Sequence, residues 1–233
     1  PPRSTLSSSS AASDVYKRQV IYVLKGNSKQ ISLLTKEFFS RPSHMVAPSL
    51  IGCFLIKRLS KNSYLAGAIV ETEAYSQEEA SCHGFSGRTQ RNKTLFGEPG
   101  NFYIYLSYGI NSCVNIVTGK KNWANGVLLR SIAIKGEHER IASGPGLLAK
   151  RFGLNKNFDN LHLSPANDFW LSEGENLTRM GNIVQTTRIG ISQAKDIPWR
   201  WYLKSSRSVS KRVRGDRIPP KNKCWEPSTF EGL

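Results

Sequence analysis

Two strand-like runs, at 53–59 and 65–75, are joined through the polar turn Ser60-Lys61-Asn62-Ser63, and so short a link predicts an antiparallel hairpin. Side chains alternate along a strand, so in Ile69-Val70-Glu71-Thr72-Glu73-Ala74-Tyr75 the residues Glu71, Glu73 and Tyr75 share a face with Ile69. Two carboxylates and a tyrosine leave two readings for that face: it is wetted by solvent, or it lines a cleft. A second hairpin is predicted from 102–106 and 113–118 around Ser107-Tyr108-Gly109, and further strands at 127–134, 169–171, 187–191 and 201–203.

Helical signals flank these strands. Leu33, Leu34, Phe38 and Phe39 outline a short amphipathic helix with Ser32 or Thr35 to cap it, and a second runs over 43–50, ending at Gly52. Ser143-Gly144-Pro145-Gly146 has the form of a helix start, with Ser143 near the cap, and that helix ends at Gly153. Strands in the middle and helices outside predict an α+β class. The architecture is one compact domain with a curved, mostly antiparallel sheet, a protruding β-hairpin and flanking helices. The organisation reads as a disordered or non-native lead over 1–30, a folded domain over 31–210 and a basic tail over 211–233. Residues 76–100 form a long polar, glycine-rich loop, a kind that usually carries function.

Charge narrows the partners. The chain carries 33 Lys and Arg against 17 Asp and Glu, a formal balance of +16, which attracts polyanions. Between His83 and Arg130 the sequence places Arg88, Arg91, Lys93, Lys120 and Lys121 against Glu98 alone, and seven basic residues from Arg207 to Lys223 face only Asp216. Neither cluster lies on an amphipathic helix, and no apolar run approaches the roughly 18 residues of a membrane span, so no membrane partner is expected. Cys53, Cys82, Cys113 and Cys224 contain no C-x-x-C pair, and His44, His83, His138 and His162 have no metal-binding spacing. Neither a metal nor another cofactor is expected.

Three tyrosines crowd Tyr103-Ile104-Tyr105-Leu106-Ser107-Tyr108-Gly109. Tyr103 and Tyr105 share a side of their strand, where packing explains them, but Tyr108 falls at the turn, where burial gains little. An aromatic ring there suits insertion between stacked bases, with nearby cations holding phosphates.

The chain resembles the alkyladenine (3-methyladenine, or methylpurine) DNA glycosylase family. The likeness spans about 31–210 and rests on motifs in order: 69–75, His83, Arg91-Asn92, Phe96, Pro99-Gly100, Tyr103-Ile104-Tyr105, Tyr108-Gly109, Asn115, Leu128-Leu129-Arg130, Ser143-Gly144-Pro145 and Arg188-Ile189-Gly190. The resemblance implies Glu73 as the base that activates water and Arg130 as the residue that helps hold that water. It implies Tyr75, His83 and Tyr105 around a flipped purine, Asn115 against the amino group of normal guanine, and Tyr108 as the wedge. Arg91 and Lys93 would contact DNA.

The implied reaction is hydrolysis without a lyase step, on 3-methyladenine, 7-methylguanine, ethenoadenine or hypoxanthine in double-stranded DNA, by a monomer. An intracellular location is expected, in the cytoplasm or nucleoid of a bacterium or the nucleus of a eukaryote. Two other readings fit the charge: a non-catalytic nucleic-acid-binding module, which gives Glu71 and Glu73 no task, and an RNA-modifying protein.

Overall fold

The computed structural model describes residues 32–174 and 181–228. The lead expected over 1–30 lies outside them. Eight strands form one sheet: β1 (Phe54–Ser60), β2 (Ser63–Ser76), β3 (Phe102–Ser107), β4 (Asn111–Val117), β5 (Asn125–Ala133), β6 (Phe169–Ser172), β7 (Ile183–Thr186) and β8 (Arg200–Leu203). The helices are α1 (Lys36–Phe39), α2 (Ser43–Ser49) and α3 (Pro145–Phe152). The main path runs β3-β4-β5-β2-β1-β6, with β8 joining β2 and β7 joining β8, and every paired strand is antiparallel. The α+β class and the two hairpins read from the sequence are present.

The long strand β2 organises the site. Its first half pairs with β1, and its second half lies between β5 and β8, with Glu71 opposite Tyr202 and Glu73 opposite Arg200. Alternation then sorts side chains between two apolar clusters. Val70 and Ala74 of β2, Phe102 and Ile104 of β3, and Leu148, Ala149 and Phe152 of α3 enter the main core. Helix α2 covers β2, and the Thr72 hydroxyl donates to the Ala47 carbonyl at 2.9 Å. The intervening Tyr103 joins a smaller cluster with Cys82, Leu95, Phe96, Val117 and Ala124, against which Tyr75 and Tyr105 pack.

Several expectations change. Ile69 does not share the face of Glu71 and Glu73; it joins the main core, because the β2–β5 register shifts on both sides of Glu71 and resets the alternation there. The strand expected at 187–191 lies earlier, at Ile183–Thr186. Gly190, at φ +76°, turns the chain out of the sheet, and the amide of Ile189 serves a side chain rather than a neighbouring strand. Helix α3 starts from Gly144, at φ +118°, with no side-chain cap, while Ser143 is buried in a bridge with Ser131. Thr35 precedes α1 but makes no capping bond, and Leu33 lies in a bridge with Ser172 instead of in the helix.

Candidate active site

Three adjacent strands converge on a buried charged cluster. Glu71 and Glu73 on β2 are both fully buried, and Arg130 on β5 and Arg200 on β8 are nearly so. Two acids and two guanidinium groups leave the cluster formally neutral, which is what makes burial tolerable. Arg130 bridges the carboxylates: its Nε donates to Glu71 Oε1 at 3.3 Å and its Nη1 to Glu73 Oε2 at 3.2 Å. Lost hydration pulls the Arg130 pKa down, but Glu73 and then Glu71 outweigh it, so the guanidinium stays above its ordinary value.

The two carboxylates differ in how fully they are used. Glu71 Oε1 also accepts from Arg200 Nη1 at 2.9 Å, while its Oε2 accepts from the Ser131 hydroxyl at 2.9 Å and the Ser210 amide at 2.7 Å. With Arg130 that is two donors on each oxygen, the capacity of a carboxylate. Glu73 Oε2 accepts from the Tyr75 hydroxyl at 2.8 Å as well as from Arg130, but among the described residues Oε1 has only the Ile189 amide, at 2.8 Å. One acceptor position on Glu73 Oε1 therefore remains open.

Beside this cluster lies a cavity of about 550 Å³, within the range of small-molecule sites. Tyr75, His83, Tyr103, Tyr105, Asn115, Arg130 and Ile189 are among its walls. Glu73 sits one layer behind, but Tyr75, Arg130 and Ile189, the residues bonded to it, all line the cavity. Burial and then Glu73 raise the Tyr75 pKa well above the usual tyrosine value, so Tyr75 remains a donor.

The aromatic walls are fixed to one another. His83 and Tyr105 meet edge to face with ring centroids 4.4 Å apart, and His83 Nδ1 lies 2.9 Å from the Tyr103 hydroxyl. Crowding that costs His83 hydration, and then the charge of Arg91, hold its pKa below the ordinary 6.5, so the ring is neutral near pH 7. Asn115 is buried, with Nδ2 donating to the Tyr103 carbonyl at 3.0 Å and the Cys113 carbonyl at 3.4 Å.

Tyr108 stands at the cavity mouth, on the tip of the β3–β4 hairpin. It is 94% exposed and held at φ +50°, a left-handed conformation that costs a side-chain-bearing residue roughly 1–2 kcal/mol. Neither burial nor backbone preference accounts for a large ring there. Arg91 lines the cavity; Lys93 is exposed two residues away but does not line it. Neither makes an ion pair among the described residues, whereas Lys121 of the same basic cluster is paired with Glu98, as is Lys36.

Some supports had no assigned role in the sequence reading. Arg188 is buried, donates to both oxygens of Glu79 at 2.6 and 2.9 Å, and lies 4.7 Å from the centre of the Tyr75 ring. Asn92 pins the polar loop: its Nδ2 donates to the carbonyls of His83 and Gly87 at 2.7 and 3.0 Å, and its Oδ1 accepts from the Thr89 amide at 2.6 Å. Both occur in the motifs that carry the resemblance. Arg200 and Ser210, which complete the shell of Glu71, had no distinguishing signal, because their partner is distant in sequence.

Comparison with known proteins agrees with the resemblance. The model of the methylpurine-DNA glycosylase family matches residues 37–207. A Synechococcus elongatus protein named for 3-methyladenine DNA glycosylase activity is 37% identical over 175 residues, covering 75% of this chain and 89% of its own length. Similarly named proteins from Carboxydothermus hydrogenoformans and Rhodopseudomonas palustris are 38% identical over 192 residues and 39% over 191. Each alignment covers 77% of this chain, with 100% of the first relative and 88% of the second. With more than half of its length matched by the family model, and relatives this similar along nearly their whole length, the chain belongs to the methylpurine-DNA glycosylase family.

Proposed function

We propose that this protein is a monofunctional DNA glycosylase that takes an alkylated or deaminated purine out of duplex DNA and hydrolyses its bond to the sugar. The observation that carries the reading is the open acceptor on Glu73, behind a cavity lined by Tyr75, His83, Tyr103 and Tyr105 and with an exposed tyrosine at its mouth. Chemistry at a glycosidic bond inside a base stack requires extrusion of the nucleotide, and damaged bases cost least to extrude. Tyr108 fills the space the nucleotide leaves, while Arg91 and Lys93 hold phosphates.

Inside the cavity, Tyr75 and Tyr105 stack on the purine and His83 meets its edge. Alkylation at N3 or N7 makes the base cationic, which favours contact with tyrosine faces and weakens the bond to C1′. Asn115, its amide tied to two carbonyls, stands against the amino group of normal guanine. The attacking water lies between Arg130 and Oε1 of Glu73. As the bond breaks, its electron pair passes to the purine; the water oxygen bonds to C1′, and Glu73 takes the released proton. The same carboxylate stabilises the positive charge that develops on the sugar.

The expected substrates are 3-methyladenine and 7-methylguanine, with ethenoadenine and hypoxanthine as neutral lesions, in DNA bound by a monomer. The test is a duplex oligonucleotide carrying one hypoxanthine or ethenoadenine, incubated with enzyme and then cleaved with alkali at abasic sites. Strand scission is expected with the native chain and about 10²–10⁴-fold slower with Glu73→Gln. Scission at the native rate in Glu73→Gln removes that residue as the base. No scission from either protein, with duplex binding intact, favours a non-catalytic binding module.

A further inference from the structure

Most of the cation excess at the C-terminal end has no part in the cavity. The Ser210 amide donates to Glu71 at 2.7 Å and Arg200 donates to the Lys211 carbonyl at 2.8 Å, so the chain leaves the charged cluster at a fixed point. That point is beside the cavity: Ser210 Cβ lies 3.9 Å from where a β-carbon on Gly144 would stand, and the next residue, Pro145, is one of the cavity walls.

Beyond Ser210 the segment is held against the sheet. Arg212 pairs with Asp216 at 2.9 Å, the Tyr202 hydroxyl donates to Asp216 at 2.6 Å, Arg207 donates to the Pro219 carbonyl, and the Trp225 amide donates to the Ser205 carbonyl at 3.0 Å. These contacts use the only acidic side chain between Arg207 and Lys223. Lys211, Arg214, Arg217, Lys221 and Lys223 are all exposed, and none forms an ion pair among the described residues. Like charges ordered side by side repel one another, and a polyanion turns that repulsion into attraction. Ile218 is the one large hydrophobic side chain exposed among residues 211–228, too little apolar surface to seat the segment in a membrane.

We propose that Lys211, Arg214 and Arg217 form a second DNA contact, binding backbone phosphates of the duplex beside the extruded nucleotide on the Pro145 side of the cavity. The contact lies beyond the stretch matched by the family, which ends at residue 207. It rests on the reading of the cavity as the place that receives a nucleotide.

Salt dependence measures the proposal directly, because each phosphate contact releases counterions and contributes about 0.9 to the slope of log K against log salt. Binding to an undamaged 25-base-pair duplex should show the slope reduced by roughly 0.9 in each of Lys211→Gln, Arg214→Gln and Arg217→Gln, and by about 2.7 in the triple variant. Lys61→Gln, at the β1–β2 turn near the opposite end of β2 from Tyr75, removes the same charge and should leave the slope unchanged. Matching melting temperatures for native and variant proteins verify folding.

An unchanged slope in the triple variant overturns the proposal, as does an equal reduction in Lys61→Gln, which would make the effect one of net charge. Weakened binding to anionic phospholipid vesicles with an unchanged DNA slope overturns it in favour of a membrane surface. Excision of hypoxanthine by the native chain tests the underlying reading separately, since slopes on undamaged duplex do not depend on catalysis.

Discussion

Glu71 and Glu73 stand two residues apart on one strand, equally buried, bridged by one arginine, yet their surroundings give them different work. Four donors fill Glu71, from β5, β8 and the segment after β8, so it acts as a junction that ties three parts of the chain together. Glu73 has three donors, and all three come from residues that line the cavity. A carboxylate with every lone pair engaged has no place for another proton donor, whereas one with a free position does. Burial does not distinguish the two acids; the count of unfilled acceptor positions does.

The largest expected effect tests the reactive half of that contrast. Glu73→Gln removes the proposed base while keeping nearly the same shape, and loss of a general base lowers rates by about 10²–10⁴-fold, or roughly 3–5 kcal/mol of barrier. Single-turnover excision should fall by that amount while lesion binding remains. Glu71→Gln should invert the pattern. An amide cannot accept from four donors, and breaking a buried charge network costs about 3–5 kcal/mol, seen as a melting temperature lower by roughly 10 °C. Its single-turnover rate at a temperature where it is folded should fall only about tenfold, the part that depends on Arg130 being held from its Nε side. A Glu71 variant with native stability and no activity would break the contrast.

This contrast could not be read from the sequence, although the pieces it uses could. The alternation in 65–75 places Glu71 and Glu73 on one face, and nothing in that spacing distinguishes them; the resemblance, not the periodicity, singled out Glu73. Hairpins were legible because their turns are short and polar, and Tyr108 was legible because an aromatic at a turn has no packing reason to be there. The departure of Ile69 from the expected face comes from register shifts against β5, a property of two strands together. Arg200 and Ser210 reach Glu71 across 129 and 139 residues, and no local pattern encodes such contacts. The strand misplaced at 187–191 failed for a related reason: its apolar residues serve the cavity wall, where Ile189 and Ile191 line the space.

The smallest effects sharpen the contrast by changing one donor of Glu73 and leaving the carboxylate alone. Tyr75→Phe keeps the ring that packs beneath Arg188 but removes the hydroxyl that donates to Oε2. The open acceptor is on Oε1, so the rate should stay within about tenfold of the native value, while loss of a hydrogen bond to a charged group costs roughly 1.5–3 kcal/mol of stability. The same hydroxyl gives the pH dependence a definite sign. Burial and Glu73 raise the Tyr75 pKa well above 10, so folding favours the protonated phenol. Its contribution is complete below the unfolded value of 10 and declines as pH rises from there through the folded pKa. Denaturant titrations between pH 9 and 11 should therefore show native stability falling above pH 10 more steeply than that of Tyr75→Phe, which has no phenol to titrate. Parallel curves would mean that the phenol is neither buried nor held by Glu73.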